Sequence, residues 1–353
     1  MPINSVFTTV SKARRYYDFA FIIIVVIAIS LVIIQLINGN LKTNSVLKSK
    51  ESISSKCIQT IEGEEQVVDT TALKTLSEVS AIADKDEIFQ TRFGKNDIPP
   101  IMTPNFSSST DMANCLGEND LVLVLKDGEE VNIYPERILQ QHLVVNDEIN
   151  NKPILVSYCA LCKSFEVYER TFQGEVLEFG TTGLLYKNND LLFDTKTESL
   201  WSQYTGKSMV GNYLGASLEK IPFIINTFSK AKAIYPQARI LNFKTGYLMD
   251  YSDTSYEDFA LSPEIIAPQT NISNKFNSKD IIIGLILNEK YYAYPLKEVT
   301  KPVNFQIDSK IITIENSDNG LFVKSGNEDI NFTYGFWYVW SDFFPDTKII
   351  EAN

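Results

Sequence analysis

A chain of 353 residues is long enough for one large domain or two small ones, and its 44% hydrophobic and 12% aromatic content is ample for a packed core. The formal net charge of −12 repels phosphate backbones, and no Lys/Arg stripe interleaves with aromatics to offset it, which argues against a nucleic-acid partner. The Asp and Glu residues are scattered rather than clustered and read as a solvated face.

Phe19 to Ile37 reads FAFIIIVVIAISLVIIQLI, with no charge and only Ser30 and Gln35 polar. At ~1.5 Å per residue this stretch spans a ~30 Å hydrocarbon core. It lacks the polar stripe that a core helix of a soluble protein shows. Lys12, Arg14 and Arg15 lie just before it, while Lys42, Lys48 and Lys50 follow at a greater distance. The positive-inside rule therefore predicts a cytoplasmic N-terminus (1–18), a single-pass transmembrane helix (19–37) in the inner membrane, and an extracytoplasmic, periplasmic bulk. The apolar run is longer than that of a signal peptide and exits into Asn38-Gly39-Asn40, which favours a retained signal anchor over a cleaved leader.

Residues 38–96 read as a tether and a helix. The first part is rich in Ser, Lys and Asn, and Leu73, Leu76, Val79 and Ile82 then recur at near-helical spacing from Thr70 to about Ile88. Ile98-Pro99-Pro100 and Pro104 lead into the body. From Leu121 the pattern becomes short strands separated by turn signals at Asp127-Gly128, Asn150-Asn151, Gln173-Gly174 and Asn188-Asn189. Pro135 opens a short helix to Gln140, and Thr227 to Tyr235 reads as another, stopped by Pro236. Leu121–Pro135 and Ile282–Pro295 both read strand, turn, strand, Tyr-Pro, and both are followed by strand pattern and then an aromatic segment with a proline.

The expected fold is thus α+β and predominantly β: an antiparallel, hairpin-rich domain with a partial internal repeat, preceded by one transmembrane helix. Residues 97–245 form the repeat that contains a Cys-x-x-Cys motif, 246–280 a connection, and 281–353 a second, degenerate repeat without Cys or His.

Chemistry-bearing side chains concentrate in the first repeat. Cys159 and Cys162 are two of four cysteines, and His142, the only histidine, lies seventeen positions before Cys159. The pair follows an apolar strand and precedes an alternating one, so it falls in a turn between strands and not at the start of a helix, unlike a thioredoxin-type pair. Three readings stay open. The cysteines form a structural disulfide or ordinary buried thiols. Alternatively, Cys159, Cys162 and His142 ligate a transition metal, copper or zinc, with one position open. In the third reading the cysteines act catalytically as attacking and resolving thiols, with His142 as base. Cys57 and Cys115 remain, and four cysteines allow three connectivities. Arg137, Tyr186, Trp201 and Gln203 stand near turns and are candidates to line a pocket, with core packing as the alternative. No phosphate loop, nucleophile elbow or Ser-His-Asp order is present.

The order Tyr134-Pro135, Arg137, His142, Val145-Asn146-Asp147, Tyr158-Cys159-Ala160-Leu161-Cys162, Phe179-Gly180, Gly183-Leu184-Leu185-Tyr186, Asp190-Leu191-Leu192, Ser199–Gln203 and Gly206 resembles a bacterial family catalogued only as domain of unknown function thirty-one seventy-nine. The resemblance covers roughly Asp97 to Ala352. Ala160 stands where the family has proline, and Leu143 where it often has an acidic residue. The resemblance implies a membrane-tethered or exported domain and supplies no reaction. Two functional classes follow: a thiol/imidazole site that binds a metal or exchanges electrons, or a non-catalytic envelope module with an envelope protein partner, in which the cysteines are a disulfide staple.

Overall fold

The structure is a computed structural model that describes residues 87–351 except Thr254. The expected anchor (19–37), the tether, nearly all of the expected helix to Ile88, and Cys57 lie outside the described residues. Among the described residues no helix is long and apolar enough to cross a membrane.

The body is predominantly β. Strands β1 (Ile88–Gln90) and β2 (Phe106–Ser107) and a short helix α1 (Ser109–Met112) lead to the hairpin β3–β4 (Leu121–Asp127, Glu130–Pro135), helix α2 (Glu136–His142) and a meander β5–β6–β7 (Val144–Ile149, Lys152–Cys159, Ser164–Glu169). An inserted run follows: β8 (Thr171–Phe172), β9 (Glu175–Val176), β10 (Phe179–Tyr186), β11 (Asn189–Asp194), β12 (Leu200–Ser202) and β13 (Ser208–Val210). The first half ends with β14 (Ile224–Thr227), α3 (Phe228–Ile234) and β15 (Arg239–Leu241), and α4 (Ser255–Leu261) lies in the connection. The second half has β16–β17 (Ile281–Leu287, Lys290–Pro295), the meander β18–β19–β20 (Val303–Ile307, Lys310–Ser317, Gly320–Ser325), β21 (Glu328–Asp329), β22 (Thr333–Phe336), α5 (Trp337–Phe343) and β23 (Lys348–Ile349).

Local chemistry sets the hairpins. Asn150 and Asn151 both take positive φ (49° and 59°), as do Lys187 and Asn188 (49° and 63°) and Asn288 and Glu289 (50° and 58°). Two consecutive left-handed residues give the turn whose twist matches the flanking strands, and asparagine tolerates that conformation well. The turn expected at Asn188-Asn189 falls one residue earlier, because Asn189 already pairs with Tyr186 as the first residue of β11. Helix α2 starts after Pro135, runs two residues further than expected, and ends where Leu143 turns left-handed (φ 60°) and donates its N–H to the Leu139 carbonyl at 2.8 Å.

The strand pairing repeats. In the first half β3 pairs antiparallel with β4 and β14, and β15 closes in parallel on β4. In the second, β16 pairs antiparallel with β17 and β22, and β23 closes in parallel on β17. Strands β3 and β16 even bury the same positions in the same order. The meanders, however, are exchanged. β5–β6–β7 extends the sheet of the second half through a Tyr334–Phe165 pairing, and β18–β19–β20 extends that of the first through Ile225–Leu321. Of the inserted strands, β8 pairs with β9, and apart from them β10 to β13 form a separate five-stranded sheet with β1, in the order β1-β10-β11-β12-β13. It is tied to the first meander by Asn146, whose amide both accepts from the Phe179 N–H (2.8 Å) and donates to the Phe179 carbonyl (2.9 Å).

One buried charge joins these parts. Glu166 on β7 accepts from Lys220 Nζ at 2.8 Å and from Thr333 Oγ1 of β22 at 2.7 Å. Burial pushes the Glu166 carboxyl up, and the Lys220 charge and the two hydrogen bonds pull it back. Removing one partner strands a desolvated charge. Lys220→Met is expected to lower stability by ~3–5 kcal/mol in urea denaturation, and adding Glu166→Gln to recover most of that loss.

Candidate functional site

Strand β6 ends on Cys159 and β7 begins on Ser164, and the two residues are registered opposite each other. The chain between them, Ala160–Lys163, closes with Lys163 at φ 52°. That turn brings the cysteine Cα atoms to 5.2 Å, and Cys159 and Cys162 are joined as a disulfide. Both cysteines are fully buried, in a cluster with Tyr204, Trp337 and Trp340. The Cys162 N–H donates to Cys159 Sγ (3.2 Å), Asn189 Nδ2 donates to Cys162 Sγ (3.4 Å), and the Asn188 carbonyl oxygen lies 3.2 Å from Cys162 Sγ.

The second half caps the turn from behind. The Phe336 N–H donates to the Cys162 carbonyl (2.9 Å), and the Tyr338 hydroxyl donates to the Leu161 carbonyl (2.8 Å). Gly335 permits this approach, since a Cβ there would meet the Cys162 oxygen at 3.1 Å and Ser164 Cβ at 3.3 Å.

Gln203 belongs to the same buried network. Its Oε1 accepts from Asn189 Nδ2 (2.8 Å) and Ser164 Oγ (3.3 Å), and its Nε2 donates to Ser157 Oγ (3.3 Å). Asn189 therefore links Gln203 to the disulfide. Its neighbour Asn188 exchanges two hydrogen bonds with the backbone of Ala267, 2.7 and 2.9 Å, fastening the connection to the β10–β11 turn.

His142 is placed differently. The Pro99 carbonyl can only accept, so Nδ1–H donates to it (2.8 Å), which leaves Nε2 to accept from the Tyr251 hydroxyl (2.7 Å). Tyr251 is in turn bonded to Thr245 Oγ1 at 2.7 Å. The imidazole is buried and neutral; burial pulls its pKa from 6.5 down to about 4, partly opposed by the Pro99 bond. The three-residue arrangement expected from sequence is thus not assembled: the sulfurs bond each other, and both ring nitrogens serve partners on other segments. Among the described residues no three His, Cys, Asp or Glu side chains cluster as a metal site.

The remaining expected residues serve separate contacts. Arg137 clamps Asp120 through two 3.0 Å bonds and reaches the Tyr251 carbonyl at 3.3 Å, so it shares Tyr251 with His142. Trp201 is buried against Phe172 and Phe179 and donates to Asp194 at 3.0 Å. Tyr186 is half-buried, edge-on to Phe343 at 5.5 Å.

What the sequence reading missed is a cleft of about 410 Å³ on the solvent side of the disulfide turn, a volume typical of small-molecule sites. Ala160 and Leu161, the two residues between the cysteines, line it together with Leu143; Phe89, Phe93 and Tyr256 add aromatic side chains; and among the described residues Asp190 is the one carboxylate in the lining. Asp190 stands on β11 opposite Leu185, is half-buried, and among the described residues accepts no hydrogen bond on its carboxylate. With nothing to offset burial, its pKa is pushed up to about 7. The available signal was a charged residue heading the apolar strand Leu191-Leu192-Phe193.

Residues 95–334 match the family model described as protein of unknown function (DUF3179). No curated protein and no solved structure matches the chain.

The two titrating groups predict opposite pH effects. His142 has a depressed folded pKa, so the unfolded chain binds the extra proton between pH 6.5 and about 4, and stability falls as pH drops through that window. His142→Gln should remove roughly 2–4 kcal/mol of that fall, read from urea midpoints. Asp190 has a raised folded pKa, so its penalty is absent near pH 4, grows as pH rises, and is complete above about 7. Asp190→Asn is therefore expected to gain roughly 1–3 kcal/mol over the parent at pH 8 and nothing at pH 4, the range discounted for partial solvent screening.

Proposed function

We propose that this chain, which belongs to the DUF3179 family of proteins of unknown function, is a membrane-anchored, extracytoplasmic binding module whose Cys159–Cys162 disulfide is a staple that shapes a small-molecule cleft. One observation carries the reading. Ala160 and Leu161 line the cleft, while the two sulfurs they separate face away from solvent and are fully buried. The disulfide thus fixes the backbone of a wall without offering a sulfur to what the cleft holds. An oxidising compartment suits such a bond, and the apolar stretch 19–37 suits an anchor that would hold the domain there.

A second reading keeps the cysteines functional, as a redox pair or as ligands of copper or zinc. The N–H donors on each sulfur favour it, because they would stabilise the thiolates of the reduced pair. It requires reduction of a buried bond, and a role for His142 as third ligand or base requires release from Pro99 and Tyr251.

Reduction of the full chain in maltoside micelles separates the two. The staple reading expects the folded protein to resist millimolar dithiothreitol, with thiols labelled only after denaturation. It expects the double variant Cys159→Ala, Cys162→Ala to lose about 2 kcal/mol, as suits so short a loop. Ready reduction of the folded chain, followed by uptake of one equivalent of zinc or copper that His142→Gln weakens, would favour the second reading and defeat the first.

A further inference from the structure

Resting on the cleft reading above, we infer that the cleft takes a small organic cation, an ammonium group on an apolar or aromatic body, with Asp190 as its counter-ion.

Most polar side chains in the wall are already used. Gln90 donates its amide to the Phe93 carbonyl (2.6 Å), and Thr91 Oγ1 donates to the Gly183 carbonyl (2.7 Å). Thr181 Oγ1 donates to the Ile98 carbonyl (2.7 Å) and Ser255 Oγ to Asp253 (3.1 Å). These four side chains spend their donors inside the protein. Among the described residues the carboxylate of Asp190 accepts no hydrogen bond, and its burial is uncompensated; a polar neighbour in the wall, the Tyr256 hydroxyl, feels the Asp190 charge. The one cation among the described residues of the wall, Arg92, is exposed and lies over the Phe93 ring, 4.7 Å from its centroid. The unspent group is therefore an anion, set among apolar side chains.

The rest of the wall suits the body of such a ligand. Phe89 and Tyr256 add aromatic side chains, whose faces attract a cation, Phe93 already carries Arg92 over its ring, and Leu143 and Leu161 add apolar surface. An anionic ligand would meet the Asp190 charge at short range in a poorly solvated space. A neutral ligand would leave that carboxylate without a partner whenever it is ionised. The elevated pKa of Asp190 agrees with this account, since a bound ammonium would supply the missing charge and release the proton that burial retains.

The test uses the full chain in maltoside micelles, with 2-phenylethylammonium, 2-phenylethanol and 3-phenylpropionate as matched probes followed by NMR titration. At pH 8 the ammonium is expected to bind about tenfold or more tighter than the alcohol, with the propionate weakest. Asp190→Asn should bring the ammonium to the level of the alcohol. In the unmutated chain the preference for the ammonium should shrink from pH 8 to pH 5 as the carboxyl is protonated, a readout that needs no variant. If the alcohol or the propionate binds the unmutated protein as well as the ammonium, or if Asp190→Asn keeps the preference, the cation inference fails while the cleft stands. If none of the three binds, the cleft reading fails with it.

Discussion

Glu166 sits where the three parts of the described domain meet. Its strand belongs to the first half, Lys220 comes from the segment leaving the inserted sheet, and Thr333 comes from the strand that receives the exchanged meander. A carboxylate buried this deeply is tolerated only with its partners in place, so the position of each part is specified by the other two. The backbone agrees with the side chains. Glu169 N–H bonds the Glu219 carbonyl and Ile221 N–H the Val167 carbonyl, both at 2.9 Å, so the exit of the insertion runs along β7.

The stapled turn depends on that arrangement. Its sulfurs are packed under α5 of the second half, its carbonyls are capped by Phe336 and Tyr338, and its polar neighbours Asn188, Asn189 and Gln203 come from the insertion. Only the short stretch Ala160–Leu161 is left to face the cleft. Packing against the second half and the insertion holds this part of the lining, and the rest is drawn from the residues around β1 and from α4. The polar site residues are thus divided. The amides of Asn188, Asn189 and Gln203 beside the disulfide are hydrogen-bonded, and among the described residues the carboxylate of the cleft is not.

Much of the local structure was legible in the residues. Asn150-Asn151 and Asp127-Gly128 announce their hairpins because few side chains tolerate left-handed backbone, and Pro135 and Pro236 bracket helices by lacking a donor. The likeness of β3 and β16 was also visible, since their shared burial pattern follows from shared apolar patterning. The exchange of meanders was not. Phe165 meets Tyr334 across more than a hundred and fifty residues, and nothing local distinguishes a strand that pairs with its own half from one that pairs with the other. His142 shows the same limit on a smaller scale. It precedes the cysteine strand in sequence and Leu143 hydrogen-bonds to Tyr158, but the ring leaves from the end of α2 toward Pro99 and Tyr251. Nearness along a chain does not give the direction of a side chain. Asp190 was overlooked because a charge at the head of a strand usually faces water.

The exchanged meanders also bear on how the molecule is built in time. Contacts this far apart in sequence slow folding, since long loops must close before pairing rewards them. When β5–β6–β7 leaves the ribosome, the strand it must join, β22, is still about 160 residues away from synthesis. Until then its β7 edge stays open, and the Cys159–Cys162 turn lacks the aromatic roof of α5. The interval before the second half arrives is the stage at which those two thiols stand uncovered, and so the natural moment for an oxidant to join them.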